Sequence, residues 1–203
     1  MEHPFDLILR AVALFVSTDL DDLVVLLGFF SDPNFHARQI AAGQLIGIAT
    51  LFGISVVGSL VALILPPTFI GLLGLLPIVM GAKKAWELRS SPDASTARAA
   101  SYPVKQIGRA NIATVFVVTV ANGGDNLSVY VPLFALRSGP AIAIIGIVFA
   151  IMTAIWLAFA YWLTRHRIVG APIRRYARLL MPFVLIALGV LILNEAETVK
   201  LIL

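Results

Sequence analysis

Cysteine is missing from this sequence, and charged residues are scarce. With no thiol among its 203 residues, the chain can form no disulfide, no thiolate metal centre and no redox pair. Only 13% of the residues are charged against 60% hydrophobic, and the mean hydropathy of +0.96 lies outside the range of ordinary soluble domains. A phosphate-binding Gly-Lys-Thr loop is also lacking, so direct ATP drive within the chain is not expected. No nucleophile stands beside a base and no helix carries a His pair, so an enzyme is not expected and no catalytic residue or bound cofactor is assigned. The pI near 9.8 raises the question of nucleic acid. The cations, however, collect in two segments beside apolar stretches, where membrane orientation accounts for them, and no nucleic-acid partner is expected. The N-terminal stretch does not read as a cleavable signal peptide: Glu2 and Asp6 precede the first cation, Arg10, and the apolar run meets Asp19 without a small-residue cleavage pattern.

What is present is a series of apolar stretches of about the 20 residues that a bilayer span requires. They run from about Phe5 to Phe30, Ile40 to Leu65, Phe69 to Trp86, Ile112 to Leu136, Ala141 to Leu163 and Leu179 to Leu193. The expected fold is therefore all-α, a polytopic membrane protein of six transmembrane helices in contact with lipid. Lys83, Lys84, Arg89, Arg98, Lys105 and Arg109 flank the segment from Trp86 to Arg109, and Arg165, Arg167, Arg174, Arg175 and Arg178 fill the next basic segment. With Arg38 they outweigh Arg10, Arg137 and Lys200, so the positive-inside rule makes the loops after spans 1, 3 and 5 cytoplasmic and leaves both termini outside. Trp86, Tyr161 and Trp162, at span ends, read as interfacial anchors.

The Ser-, Ala- and Pro-rich stretch after Arg89 reads as a linker. The expected organisation is a first three-helix repeat over residues 1–88, a cytoplasmic linker over 89–108 and a second three-helix repeat over 109–203. Three spans is an odd number, so the second repeat enters the membrane from the opposite side, as in an inverted 3+3 transporter. Phe15-Val16-Ser17-Thr18 resembles Phe116-Val117-Val118-Thr119, and an acidic cluster soon follows each.

Four acids stand in mid-span: Asp19, Asp21 and Asp22 in the first, Asp125 in the fourth. An Asp at a helix centre costs about 3 kcal/mol on insertion, so three cost about 9 kcal/mol; the Leu, Ile, Val and Phe residues from Phe5 to Phe30, at roughly 0.5 kcal/mol each, return about 8 kcal/mol. Such a helix is marginal facing lipid, and its acids belong in a bundle interior or a water-filled path for ions or protons. At about 100° per residue, Thr18, Asp19 and Asp22 share one face and Asp21 projects from the adjoining one. In the fourth span, Asn122-Gly123-Gly124-Asp125-Asn126 places two glycines inside an apolar helix, where a local break would free backbone carbonyls. Pro132 offers a second break.

Brought together, Thr18, Asp19, Asp21, Asp22, Asn122, Asp125 and Asn126 make an oxygen-rich set whose chemistry suits a divalent cation. Polar glue between helices would account for the amides and the hydroxyl but not for four carboxylates; a proton relay without metal is the other reading. Carboxylates crowded in low dielectric cannot all ionise together. A metal takes only the deprotonated form, so its binding expels protons, and metal/proton exchange follows. His3, His36 and His166 lie at helix ends or in loops and read as solvated; Met80, Met152 and Met181 read as packing residues. Gly43 and Gly47 suit a close helix contact, and Gln44 reads as an access-path residue.

Ser17-Thr18-Asp19-Leu20-Asp21-Asp22-Leu23 and Ala121-Asn122-Gly123-Gly124-Asp125-Asn126, followed by Tyr130-Val131-Pro132-Leu133-Phe134, resemble the paired motifs of the bacterial cadmium-resistance transporter family, a branch of the lysine-exporter superfamily. The likeness spans essentially the whole chain. It implies an efflux transporter for cadmium in the bacterial cytoplasmic (inner) membrane, with Asp19, Asp21, Asp22, Asn122, Asp125 and Asn126 as the natural metal carriers; the proton as coupling ion follows from the carboxylates themselves. One departure concerns the cargo: cadmium is thiophilic, yet this chain offers oxygen ligands only, which by hardness favour magnesium, calcium or manganese. Cadmium is close to calcium in size, so an oxygen cage still admits it. Export of manganese or calcium, or of basic amino acids and other organic cations as elsewhere in the superfamily, are the alternatives; association into homo-oligomers is left open by the sequence.

Overall fold

The computed structural model describes residues 4–62, 64, 72–90, 112–165, 179 and 182–194, and among these residues there is no β-strand. The helices are α1 (Pro4–Thr18), α2 (Leu20–Ser31), α3 (Ala37–Ala62), α4 (Leu75–Ser90), α5 (Ile112–Asn122), α6 (Gly124–Ala135), α7 (Gly139–Arg165) and α8 (Pro182–Asn194). Each apolar stretch of the sequence becomes one helix or one broken pair. By length and composition α3 and α7 can cross a membrane, and α5 with α6, bent by 62° at Gly123, makes a third candidate. The linker expected at 89–108 lies outside the described residues except for Arg89 and Ser90, which continue α4. His3, His166, Met181 and the second basic segment beyond Arg165 also lie outside them.

Two chain breaks organise the bundle. The first separates α1 from α2 at Asp19, where φ is −102° and ψ is 16°. Just before it, Ser17 Oγ bonds Ala13 O at 2.6 Å and Thr18 Oγ1 bonds Leu14 O at 3.0 Å, the back-bonding that loosens and bends a helix. The second separates α5 from α6 at Gly123, where the expected glycine break is realised. Leu51 of α3 packs closely on Gly123: a β-carbon there would collide with Leu51 Cδ1, so the leucine side chain would have to shift to admit any larger residue. Pro132 produces no further break: α6 passes through it to Ala135.

Two apolar clusters sandwich the breaks. Leu7, Leu14 and Phe15 of α1 belong to one, and Leu23, Leu26 and Leu27 of α2 to the other. The second broken pair runs the opposite way: Val115 and Val118 of α5 lie in the second cluster, Val129, Tyr130 and Phe134 of α6 in the first. In the first cluster Phe15 meets Phe149 edge-on at 5.4 Å and Tyr130 meets Phe149 at 5.0 Å.

The long helices cross over between the breaks. α3 packs on α5 and α6, while α7 packs on α1 and α2. The approach of α3 to α5 rests on the two small residues expected to permit it: a β-carbon at Gly43 would lie 2.6 Å from Val115 Cβ, and one at Gly47 2.6 Å from Thr119 Cγ2. α4 and α8 meet through a reciprocal pair of glycines. Gly81 faces the Pro182 carbonyl and Ile186; Gly189 faces the Gly74 carbonyl and Ile78. Away from these contacts, α3 and α7 expose Val57, Leu60, Val61, Ile147 and Ile151, an apolar surface suited to lipid.

Candidate cation site

The breaks at Asp19 and Gly123 place two half-helix starts side by side between the apolar clusters. The first turn of a helix carries backbone N–H groups without helical partners, which favours negative charge there. Asp21 of α2 and Asp125 of α6 use it in the same manner. Asp21 Oδ1 accepts the N–H of Asp22 at 3.1 Å, and Asp125 Oδ1 accepts the N–H of Asn126 at 3.2 Å. The remaining oxygen of each carboxylate meets one cation: Lys84 Nζ of α4 lies 3.2 Å from Asp21 Oδ2 and 2.5 Å from Asp125 Oδ2.

Asp22 is held by amides. Its Oδ1 accepts from Asn122 Nδ2 at 2.7 Å and its Oδ2 from Gln44 Nε2 at 2.8 Å. Gln44 Oε1 in turn accepts the Thr119 hydroxyl at 2.6 Å, so α2, α3 and α5 share one chain of hydrogen bonds. Asp19 is held by hydroxyls and one amide: Tyr130 donates to Oδ2 at 3.0 Å, Thr18 Oγ1 lies 3.1 Å from the same atom, and Asn126 Nδ2 reaches Oδ1 at 3.3 Å. The Asp19 backbone carbonyl accepts from Leu23 N at 3.3 Å and from Trp156 Nε1 at 2.9 Å. An indole from α7 thus supports the break.

All seven residues singled out in the sequence gather here. Thr18, Asp19, Asp22, Asp125 and Asn126 are buried, Asn122 is half-buried, and Asp21 stands at a half-exposed edge. Among the described residues, no three carboxylates or imidazoles converge within reach of a single metal ion; each acid is held by protein donors instead. One acceptor has no such partner. Asn126 Oδ1 is the one buried side-chain polar atom without a hydrogen bond among the described residues.

Lys84 is the main correction to the sequence reading, which counted it among the loop-flanking cations. It was legible in part: Lys83 and Lys84 directly follow the apolar run of α4 and lie within that helix, so the exposed Lys83 and the inward Lys84 must point different ways. Gln44 proves to be a member of the site itself. Thr119 and Tyr130 entered the sequence reading only as motif residues and Trp156 not at all; an aromatic or a threonine in an apolar helix carries no local signal of a site.

An all-helical bundle with helices apolar enough to cross a membrane, which buries Asp19, Asp22 and Asp125 and keeps Asp21 at their edge where two broken helices meet, has the features of an integral membrane protein. A family model described as cadmium resistance transporter matches residues 15–203, and the chain belongs to that family of transporters. Searches of curated proteins and of solved structures gave no match.

Proposed function

We propose that this chain is a secondary transporter exporting a divalent metal ion, cadmium first among the candidates, across the bacterial inner membrane in exchange for protons. The observation that carries this reading is the pairing of two half-helix starts that together bury Asp19, Asp22 and Asp125 beside the half-exposed Asp21. Asp19, Asp22 and Asp125 are assigned to the ion, Asn122, Asn126 and Thr18 complete its oxygen shell, and Asp21 carries protons or supports the shell. The unpartnered Asn126 Oδ1 supports this assignment, since a buried acceptor costs free energy until a cation or donor meets it. Cargo binding requires the acids to turn from their present donors toward a shared ion.

The proposed topology has six spans in an inverted 3+3 arrangement, with residues 89–108 cytoplasmic and both termini outside. It is supported by the opposite sense of the two broken pairs, the crossing-over of α3 and α7, and the reciprocal contacts of Gly81 with Ile186 and Gly189 with Ile78.

Uptake of cadmium, manganese, zinc and calcium into proteoliposomes with a pH-sensitive dye inside tests the reading. Cadmium flux with opposing proton movement, lost in Asp125→Asn, is the expected outcome; flux unaffected by that substitution removes Asp125 from the site. One observation favours a second reading. The Lys84 ammonium seated between Asp21 and Asp125 is how an amine cargo would be held, so lysine and arginine belong in the same assay, and their transport without metal flux would replace the metal reading.

A further inference from the structure

We propose that Lys84 is a tethered counter-cation that the cargo must displace, so that it sets the affinity and release of the transported ion. The inference rests on the metal-export reading above and assigns a residue that this reading leaves out.

Three features of the geometry carry it. First, the Lys84 ammonium bridges the two carboxylates that occupy matching places after the two breaks, Asp21 on α2 and Asp125 on α6. Each of these acids spends Oδ1 on the next backbone N–H and offers Oδ2 to Lys84. A divalent ion that draws on Asp125 meets the ammonium on the same oxygen, and the two cations repel one another at that range.

Second, the contact lies at the rim of the site. The side chains of Lys84 and Asp21 are 31% and 29% exposed, whereas that of Asp125 is 3% exposed. Lys84 can therefore leave toward its own half-exposed side without crossing the core, and its flexible four-carbon stem permits the swing. Third, the base of the arm is fixed. Gly81, one turn before Lys84, seats α4 against the Pro182 carbonyl and Ile186 of α8, so the side chain moves while its helix stays.

The balance of charge makes the device useful to an exporter. In the cargo-free bundle the ammonium offsets part of the charge of four acids, which limits the cost of leaving them uncompensated. With cargo bound, the displaced ammonium stands ready to retake Asp21 and Asp125, which hastens release. A stationary structural lysine would offset the charge but could not hasten release.

The test is cadmium binding by titration calorimetry to the purified full-length protein, for wild type, Lys84→Gln, Lys84→Arg and Asp125→Asn. Lys84→Gln is expected to bind cadmium about tenfold more tightly or better, with propylammonium now competing, while Lys84→Arg binds no more tightly than wild type. In proteoliposomes the same Lys84→Gln protein is expected to show a lower KM together with a lower kcat. Equal affinity of wild type and Lys84→Gln, with binding still lost in Asp125→Asn, would overturn the role of Lys84 and leave the metal site standing. Absence of cadmium binding in every variant would overturn both.

Should Lys84→Gln fail to fold, the wild-type protein decides by itself. Amine acylation mapped by mass spectrometry should rise several-fold at Lys84 on adding saturating cadmium, with the neighbouring exposed Lys83 as internal reference. Unchanged or reduced labelling of Lys84 would overturn the proposal.

Discussion

Asn122 and Asp22, 100 residues apart in the chain, are joined by a 2.7 Å hydrogen bond from the Asn122 amide to the Asp22 carboxylate. The bond ties the residue preceding one break to the first turn of the helix that follows the other. Asn122→Ala removes a donor from a buried carboxylate, so stability should fall by about 1–3 kcal/mol. Cadmium flux should fall with it, because the two halves of the site are no longer held in register. Thermal unfolding in detergent and flux in proteoliposomes check the two effects separately.

Gly47 belongs to the same network through packing. A side chain there meets Thr119, which donates to Gln44, which donates to Asp22. Gly47→Val is expected to destabilise by about 1–3 kcal/mol through overpacking and to lower flux by displacing Thr119. Gly53→Ala, with nothing within 4 Å of its β-carbon, is the control and should be neutral or stabilising by up to about 1 kcal/mol. A Gly47→Val protein as stable as Gly53→Ala would contradict the close approach of α3 and α5.

Tyr130→Phe isolates one hydroxyl. The ring stays stacked on Phe134 at 5.8 Å and against Phe149 at 5.0 Å, while the donor to Asp19 and the 2.7 Å contact with Thr18 disappear. The expected result is a folded protein, less stable by about 1–2 kcal/mol, whose cadmium affinity is altered. If flux and affinity both match wild type, Asp19 takes no part in holding the ion.

Trp156→Phe probes the support of the first break. The variant loses the indole N–H that meets the Asp19 carbonyl at 2.9 Å but keeps an aromatic ring near Phe15. Stability should fall by about 0.5–1.5 kcal/mol. Hydrogen exchange should quicken at residues around Asp19 while the amides of α3 keep their wild-type protection; uniform quickening throughout would mean that the indole serves packing alone.

Much of the architecture is legible because hydrophobicity and glycine are local signals. Six apolar stretches foretell the helices, and Gly123 with Gly124 foretells the break between α5 and α6. The break at Asp19 is less visible, since nothing but Ser17 and Thr18 hints at back-bonding there, and the sequence-based expectation was a single span. Pro132 misleads in the other direction: a proline marks a chance of a break, and packing of Val129, Tyr130 and Phe134 in the first apolar cluster keeps α6 intact.

The sequence by itself determined that four acids sit in apolar stretches, that two of the stretches carry paired polar motifs, and that no thiol can serve as ligand. Each of these is a property of composition and spacing, and a membrane interior leaves such acids few other places. The tertiary structure alone decided how the acids are partnered. Lys84 with Asp21 and Asp125, Gln44 and Asn122 with Asp22, and Tyr130 with Asp19 are contacts between residues far apart in the chain, set by how α3, α4, α5 and α6 pack against α2 and the break before it. The sign of a side chain is written in the sequence, but which opposite charge it meets depends on helix rotation and depth, and those come only from the fitted bundle.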